Sequence, residues 1–228
     1  MCSASILYTE ECAMEKIKYA IFDADGTLMD SMHIWDTLDG AFLRMRGIVP
    51  DEDRIFMRYG YFKAVDYMIE KYNLNMTPTQ VKDDIMNILE YYYQNVPVPK
   101  NGVEDFLKKL TSNGVHCVVA TATDRYLMEP ALERNGLLKY FDKVFSTKEI
   151  GVSKQKPDIF NIARDFLGAD ESLFVFEDAA YAIRTAKEAG YKVVAIEDYS
   201  AADEVEYIKA NADYYVSDYN ELYNIFDL

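Results

Sequence analysis

Basic residues are scarce in this 228-residue chain: 24 Lys and Arg stand against 39 Asp and Glu, a net charge of −15. So acidic a surface repels polyanions, which argues against nucleic acid and anionic membranes as partners. Cysteine is equally sparse. Cys2, Cys12 and Cys117 show no CxxC spacing and no disulfide framework, a usage compatible with a reducing cytoplasm. Cys117 lies in an apolar run and reads as a plain buried residue. No apolar run approaches the ~20 residues of a membrane-spanning helix. The N-terminus lacks the basic start and apolar centre of a signal peptide. Residues 1–15 are polar and mildly acidic and are expected to form a flexible extension, with Met14 as an alternative start. What the chain has is apolar substance. At 50% hydrophobic residues it can bury one sizeable core, or a core plus a small second domain.

The stretch that organises the rest is Lys18-Tyr-Ala-Ile-Phe-Asp23-Ala-Asp25-Gly26-Thr27-Leu28. A short apolar run ended by turn residues reads as a buried strand of a parallel sheet. In such sheets ligands bind beyond the carboxyl ends of the strands, which is where Asp23 and Asp25 fall. Neighbouring carboxylates repel, so a cation or a shared proton is needed between them. Gly26 permits a sharp turn and leaves room for a ligand to approach. A calcium loop would continue with oxygen ligands, whereas this one continues with Leu28 and Met29.

After Asp30-Ser31, which reads as a helix start, helical patterns run over 32–46, 52–72 and 78–95, the last with Thr77 as N-cap and Pro78 at the first helical position. No strand is expected between 31 and 96, and Pro97-Val-Pro99 with Asn101-Gly102 forms a stiff break. Beyond it the pattern alternates. Helices are expected over 103–113, 125–135, 157–167, 179–189, 201–210 and 218–226; strands are expected over 115–120, 143–146, 173–176, 191–196 and 213–217. Alternation of this kind specifies an α/β fold with a parallel sheet. The helical block at 31–99 is then an insertion, and its two crossings near Asp30 and Pro97–Pro99 are candidate hinges.

Three later stretches also end strands. Thr121-Ala122-Thr123-Asp124 closes the strand at 115–120; a hydroxyl there suits a phosphate oxygen, although an N-cap explains it as well. Lys154 and Lys156 flank Gln155 in the loop after 143–146, where most cations are merely solvated. Glu177-Asp178 ends the strand at 173–176, as metal ligands or as acids favourable to a helix start.

Together these stretches resemble the four motifs of the haloacid-dehalogenase-like (HAD) hydrolases, in the family's order and over residues 19 to about 190. The resemblance implies a doubly wound, parallel-sheet, Rossmann-like core (residues 16–30 and 100–228) with an inserted all-helical cap (31–99). It implies Asp23 as nucleophile, Asp25 as general acid and base, Thr121 as donor to a phosphate oxygen, and Lys154 as charge compensation. Counting back from Pro157 selects Lys154; Gln155 departs from the family's usual proline, so Lys156 stays a weaker candidate. Ala182 stands where the fourth motif usually has glycine. Mg²⁺ is the implied cofactor, held by Asp23, Asp178, the Asp25 carbonyl, and Glu177 directly or through water. Gly26, Thr27, Ala122 and Thr123 would border the substrate, with His33 and Trp35 from the insertion. The net acidity makes a divalent cation more necessary for a phosphate-ester enzyme, not less.

The second aspartate separates this pattern from the dehalogenase branch and favours phosphoester chemistry. The expected activity is a cytoplasmic, Mg²⁺-dependent phosphatase of small phosphorylated metabolites, acting as a monomer or homodimer. A β-phosphoglucomutase-like mutase ranks below it. That subgroup carries a histidine five residues after the aspartate matched by Asp30, and here the place holds Trp35, with His33 two residues earlier. An idle regulatory domain or a metal-binding protein without turnover are the alternatives outside catalysis. Trp35 also suits cap core, Arg58 a surface charge, Lys63 a solvated lysine, and Tyr91-Tyr92-Tyr93 hinge-side packing.

Overall fold

A computed structural model describes residues 14–52, 54–169 and 171–228. Cys2, Cys12 and nearly all of the expected N-terminal extension lie outside the described residues. Glu15, placed by the sequence in that extension, is tied down. Its backbone NH donates to the Ile225 carbonyl at 2.8 Å, and Lys192 donates to its carboxylate at 2.7 Å.

The chain begins with β1 (Tyr19–Phe22) and a two-residue strand β2 (Met29–Asp30). A helical stretch follows: α1 (His33–Arg44), α2 (Ile55–Tyr59), α3 (Tyr61–Lys71) and α4 (Pro78–Asn95). After β3 (Val98–Pro99) come α5 (Val103–Ser112), β4 (His116–Thr121), α6 (Arg125–Arg134), β5 (Lys143–Ser146), the single turn α7 (Thr147–Ile150) and α8 (Asp158–Leu167). The chain closes with β6 (Leu173–Glu177), α9 (Ala180–Glu188), β7 (Lys192–Ile196), α10 (Val205–Asn211) and β8 (Tyr214–Val216).

Six parallel strands form one sheet in the order β5-β4-β1-β6-β7-β8. Strand order therefore runs outward from β1 through β4 to β5, then returns to β6 and runs the other way. The carboxyl ends of β1, β4 and β6 meet where the order reverses, the place at which open α/β sheets bind ligands. Side chains alternate across the sheet. Phe22, Val119, Phe174 and Phe176 face one apolar cluster, continuous with the helical stretch through Leu38, Phe42, Val81 and Tyr93. Ile21, Val118, Ala120 and Val175 face the other, under α8 and α9. Phe106, Phe174, Phe176 and Phe226 are fully buried and share ring contacts. Burying each such ring contributes roughly 1.5–3 kcal/mol.

Several expectations need correction. The helix read over 52–72 is two helices, because Gly60 adopts φ 73° between them, outside helical space. Asp30-Ser31 does not start a helix. Asp30 pairs antiparallel with Val98 in β2–β3, Ser31 gives its hydroxyl to Asp25, and α1 begins only at His33. The break at Pro97–Pro99 is thus one half of a ribbon that ties the two chain crossings together, with a further bond from Lys100 NH to the Leu28 carbonyl at 2.9 Å. Proline lacks an NH, so Pro97 and Pro99 keep this pairing short. The C-terminal helices over 201–210 and 218–226 are partly or wholly tighter 3₁₀ turns, Tyr199–Glu204 and Tyr219–Asn224. Side chains of Asp198 and Asp218 bond the backbone two residues on and favour the tight turn. The Thr77 cap is present as a reciprocal capping box with Gln80.

Candidate functional site

Phe22 is the last residue of β1, and Asp23 leaves the strand with its NH still bonded to the Phe176 carbonyl at 2.9 Å. The loop then doubles back: the NH groups of Leu28 and Met29 both donate to the Ala24 carbonyl. Gly26 makes that turn at φ +80°. An added Cβ would collide with Asp178 Oδ2, so the Asp178 carboxylate stands on the side where a side chain would project. Thr27 is buried and donates to Asp178 Oδ1 at 2.8 Å, while its carbonyl accepts from Tyr219. It holds Asp178 in place.

Three buried carboxylates, Asp23, Glu177 and Asp178, each offer an oxygen within 4.8 Å of the others. Lys154 is 3% exposed and donates to Asp23 Oδ1, and to Glu177 Oε1 at 2.6 Å. Lys156 is exposed, so the structure brings Lys154 and not Lys156 to the acids. One ammonium faces three carboxylates. Burial pushes the Asp23 carboxyl up to about 8, with Lys154 opposing and Glu177 and Asp25 adding to the rise. Asp178 is raised well above the carboxylate range by burial, then by Glu177 and Asp23. Burial pulls the Lys154 ammonium down, but Asp23 and Glu177 outweigh it and hold the amine protonated. The shortage of positive charge and the all-oxygen donor set fit a hard divalent cation. Glu177 is the least available ligand: Oε1 accepts from Lys154 and Oε2 from the NH groups of Asp178 and Ala179.

Asp25 sits among hydroxyls. Its Oδ1 accepts from Ser31 at 2.6 Å and Tyr93 at 2.7 Å, and its Oδ2 accepts from Thr123 at 2.6 Å. Thr121 ends β4, the strand next to β1, in register with Ser146 of β5, and its hydroxyl accepts from Thr123 NH at 3.0 Å, which leaves its proton free to donate. Ala122 is exposed on the same loop. His33 is exposed on α1 and packs edge-on against Tyr199, ring centroids 6.2 Å apart. Trp35 is half-buried against the apolar cluster of the helical stretch. Arg58 is exposed and paired with Glu52 at 2.7 Å, and Lys63 is exposed. A cleft of 130 Å³ reaches Asp178 from the side of Asp198 and Tyr199.

Sequence reasoning missed Tyr93 and Ser31. It placed Tyr93 in packing and Ser31 at a helix start, yet both hydroxyls contact Asp25. Tyr93 is separated from Asp25 by 68 residues, and only its neighbourhood with a hinge could have drawn attention to it.

The chain is 28% identical to the validoxylamine A 7'-phosphate phosphatase of Streptomyces hygroscopicus subsp. limoneus, over 76% of this chain and 82% of that protein. It is 25% identical to the N-acetylmuramic acid 6-phosphate phosphatase of Pseudomonas aeruginosa, over 79% and 82% of the two chains. Among solved structures, CbbY from Rhodobacter sphaeroides, in complex with phosphate, superposes with a TM-score of 0.74 at 20% identity, covering 90% of this chain and 96% of that one. This likeness shows a shared fold. The family model for haloacid dehalogenase-like hydrolases matches residues 20–196, which take in the strand ends carrying Asp23, Thr121 and Glu177 and the loop carrying Lys154. The chain therefore belongs to the haloacid dehalogenase-like hydrolase family.

Proposed function

We propose that this chain is a Mg²⁺-dependent phosphatase of small phosphomonoesters that works through a phosphorylated Asp23. The observation that carries the reading is the contrast at one strand end. Asp23 lies among buried acids and an ammonium; Asp25, two residues on, lies among hydroxyls. That is the division of labour a nucleophile and an acid/base need.

Asp23 and Asp178 would hold the cation, with Glu177 acting through water because its oxygens are committed. When bound, Mg²⁺ would keep Asp23 ionised and neutralise charge on the phosphoryl group. An Asp23 oxygen attacks phosphorus as the ester P–O bond breaks, and the leaving oxygen takes a proton from Asp25. Water then attacks the same phosphorus, gives a proton to Asp25, and the bond to Asp23 breaks. The sum is ester plus water to alcohol plus phosphate. Thr121 donates to a phosphate oxygen, and Lys154 offsets charge on Asp23 and the transferring group. Residues 31–99 serve as the cap that excludes water. The enzyme acts in the cytoplasm, as a monomer or homodimer, on a phosphorylated metabolite of the kind named for its relatives. Among the described residues, no helix is long and apolar enough to cross a membrane.

The test is phosphate release from a panel of small phosphate esters, with Mg²⁺ and with chelator. Turnover should need Mg²⁺, and Asp23→Asn should lower it by about 10³-fold or more. Metal-independent turnover, or an active Asp23→Asn, would overturn the reading.

A further inference from the structure

The three hydroxyls on Asp25 come from three different parts of the chain. Ser31 follows β2, Thr123 follows β4, and Tyr93 lies near the end of α4. Of these, Tyr93 alone lies on a helix of the stretch between the two crossings. It is fully buried, and burial followed by the negative charge of Asp25 drives its phenol well above its ordinary range, so it remains a donor. Packing gives no reason for the oxygen. Phenylalanine fills nearly the same volume without burying a hydroxyl, and a buried hydroxyl is unfavourable unless it is paired. The adjacent Tyr92 donates to the Ser31 carbonyl at 3.1 Å, its ring at 89° to that of Tyr93. Two successive tyrosines thus fasten α4 to the 25–31 segment, immediately before the β2–β3 ribbon through which the helical stretch joins the sheet.

The chemistry of the contacts also matters. A lysine or arginine can only donate, and would hold Asp25 as a carboxylate. Hydroxyls both donate and accept, so they can keep the same carboxyl in place with or without its proton.

We propose that Tyr93 is a positioning residue that aims the Asp25 carboxyl at the leaving oxygen, so that the acid is fully set only when α4 is seated over the strand ends. This rests on the phosphatase reading above. In the step concerned, the P–O bond to the leaving group breaks while the Asp25 O–H bond passes its proton to that oxygen. A basic alkoxide needs that proton; a weakly basic nitrophenolate leaves without it. Disturbing the acid therefore costs more for alkyl than for nitrophenyl esters. Loss of packing or of metal affinity would cost the same for both.

The experiment measures kcat/KM of wild type, Tyr93→Phe and Tyr92→Phe with nitrophenyl, phenyl and glycerol phosphates in saturating Mg²⁺. For Tyr93→Phe the loss should grow along that series, to about 10–100-fold on glycerol phosphate while staying within about threefold on nitrophenyl phosphate. Tyr92→Phe, which keeps every bond to Asp25, should show only a small part of that slope. Thr123→Val removes another donor to the same carboxyl and should reproduce the slope; it carries the test if thermal unfolding shows that Tyr93→Phe does not fold. Equal losses on all three esters, or none, with an active wild type overturn the proposal and leave the phosphatase reading standing. A wild type that releases no phosphate from any of them, or from a wider panel, overturns both.

Discussion

Asp23 and Asp25 are two residues apart and live in opposite surroundings. Asp23 is ringed by charge: Lys154 on one oxygen, with Glu177 and Asp178 beside it and little water. Asp25 has hydroxyls on both oxygens and no ammonium among its hydrogen-bond partners. Burial and like charges raise the pKa of a carboxyl, while a nearby cation or hydrogen bonds to its charged form lower it. Asp23 is therefore left short of positive charge, whereas Asp25 is hydrogen-bonded on both oxygens. The difference teaches that one strand end can supply two unlike carboxyls, provided that the elements around it come from different parts of the chain.

Breaking the charged half should have the largest effect. Lys154→Met leaves Asp23 and Glu177 buried without their ammonium, and losing one partner of a buried pair costs about 3–5 kcal/mol. Denaturant unfolding in chelator should show a loss of that size, partly recovered by Mg²⁺, together with near-complete loss of phosphate release. A stable, active Lys154→Met would remove the charge argument. Gly26→Ala should come next. Its Cβ would collide with Asp178 Oδ2 on a backbone at φ +80°. Strain of that kind costs roughly 1–3 kcal/mol, and displacing Asp178, proposed above to hold the cation, should weaken Mg²⁺ binding by about 10–100-fold, read by calorimetry. Unchanged Mg²⁺ affinity would mean that Asp178 is not a ligand.

A change of pH sharpens the contrast without mutation. The folded-state pKa of Asp23 is pushed up to about 8, above its ordinary 3.8. The folded protein then binds a proton that the unfolded chain has released, so stability falls as pH rises between these values. Asp178 shifts in the same direction. In chelator, Tm should decline from pH 5 to pH 8, and saturating Mg²⁺ should raise Tm more at pH 8 than at pH 5. A Tm that rises with pH in chelator would contradict the burial of uncompensated acids.

Much of the architecture was legible because strand signals are local. The run from Tyr19 to Phe22 and the one before Glu177 are short, apolar and ended by acids, and both are central strands. Their alternation with helices specified a parallel sheet, which in turn placed the ends of β1, β4 and β6 together. The split at Gly60 was missed because a single glycine is tolerated within a helical pattern, and the decision came from its positive φ. The β2–β3 ribbon was missed because two residues carry no period, and one of its strands ends in proline. Within the site, Lys154 and Lys156 are indistinguishable by composition; burial against Asp23 and Glu177 separates them.

What the sequence determined by itself was the order of the main-sheet strands and the longer helices between them, and the residues at the strand ends, because both follow from apolar periodicity and from the turn residues that stop it. Tertiary structure decided the surroundings of those residues. Thr27 serves Asp178, Gly26 yields its space to the same carboxylate, and Tyr93 reaches Asp25 across 68 residues. Hydrogen bonds of that span have no local pattern to announce them. They exist only once packing has brought the last helix of the insertion down onto the loop after β1.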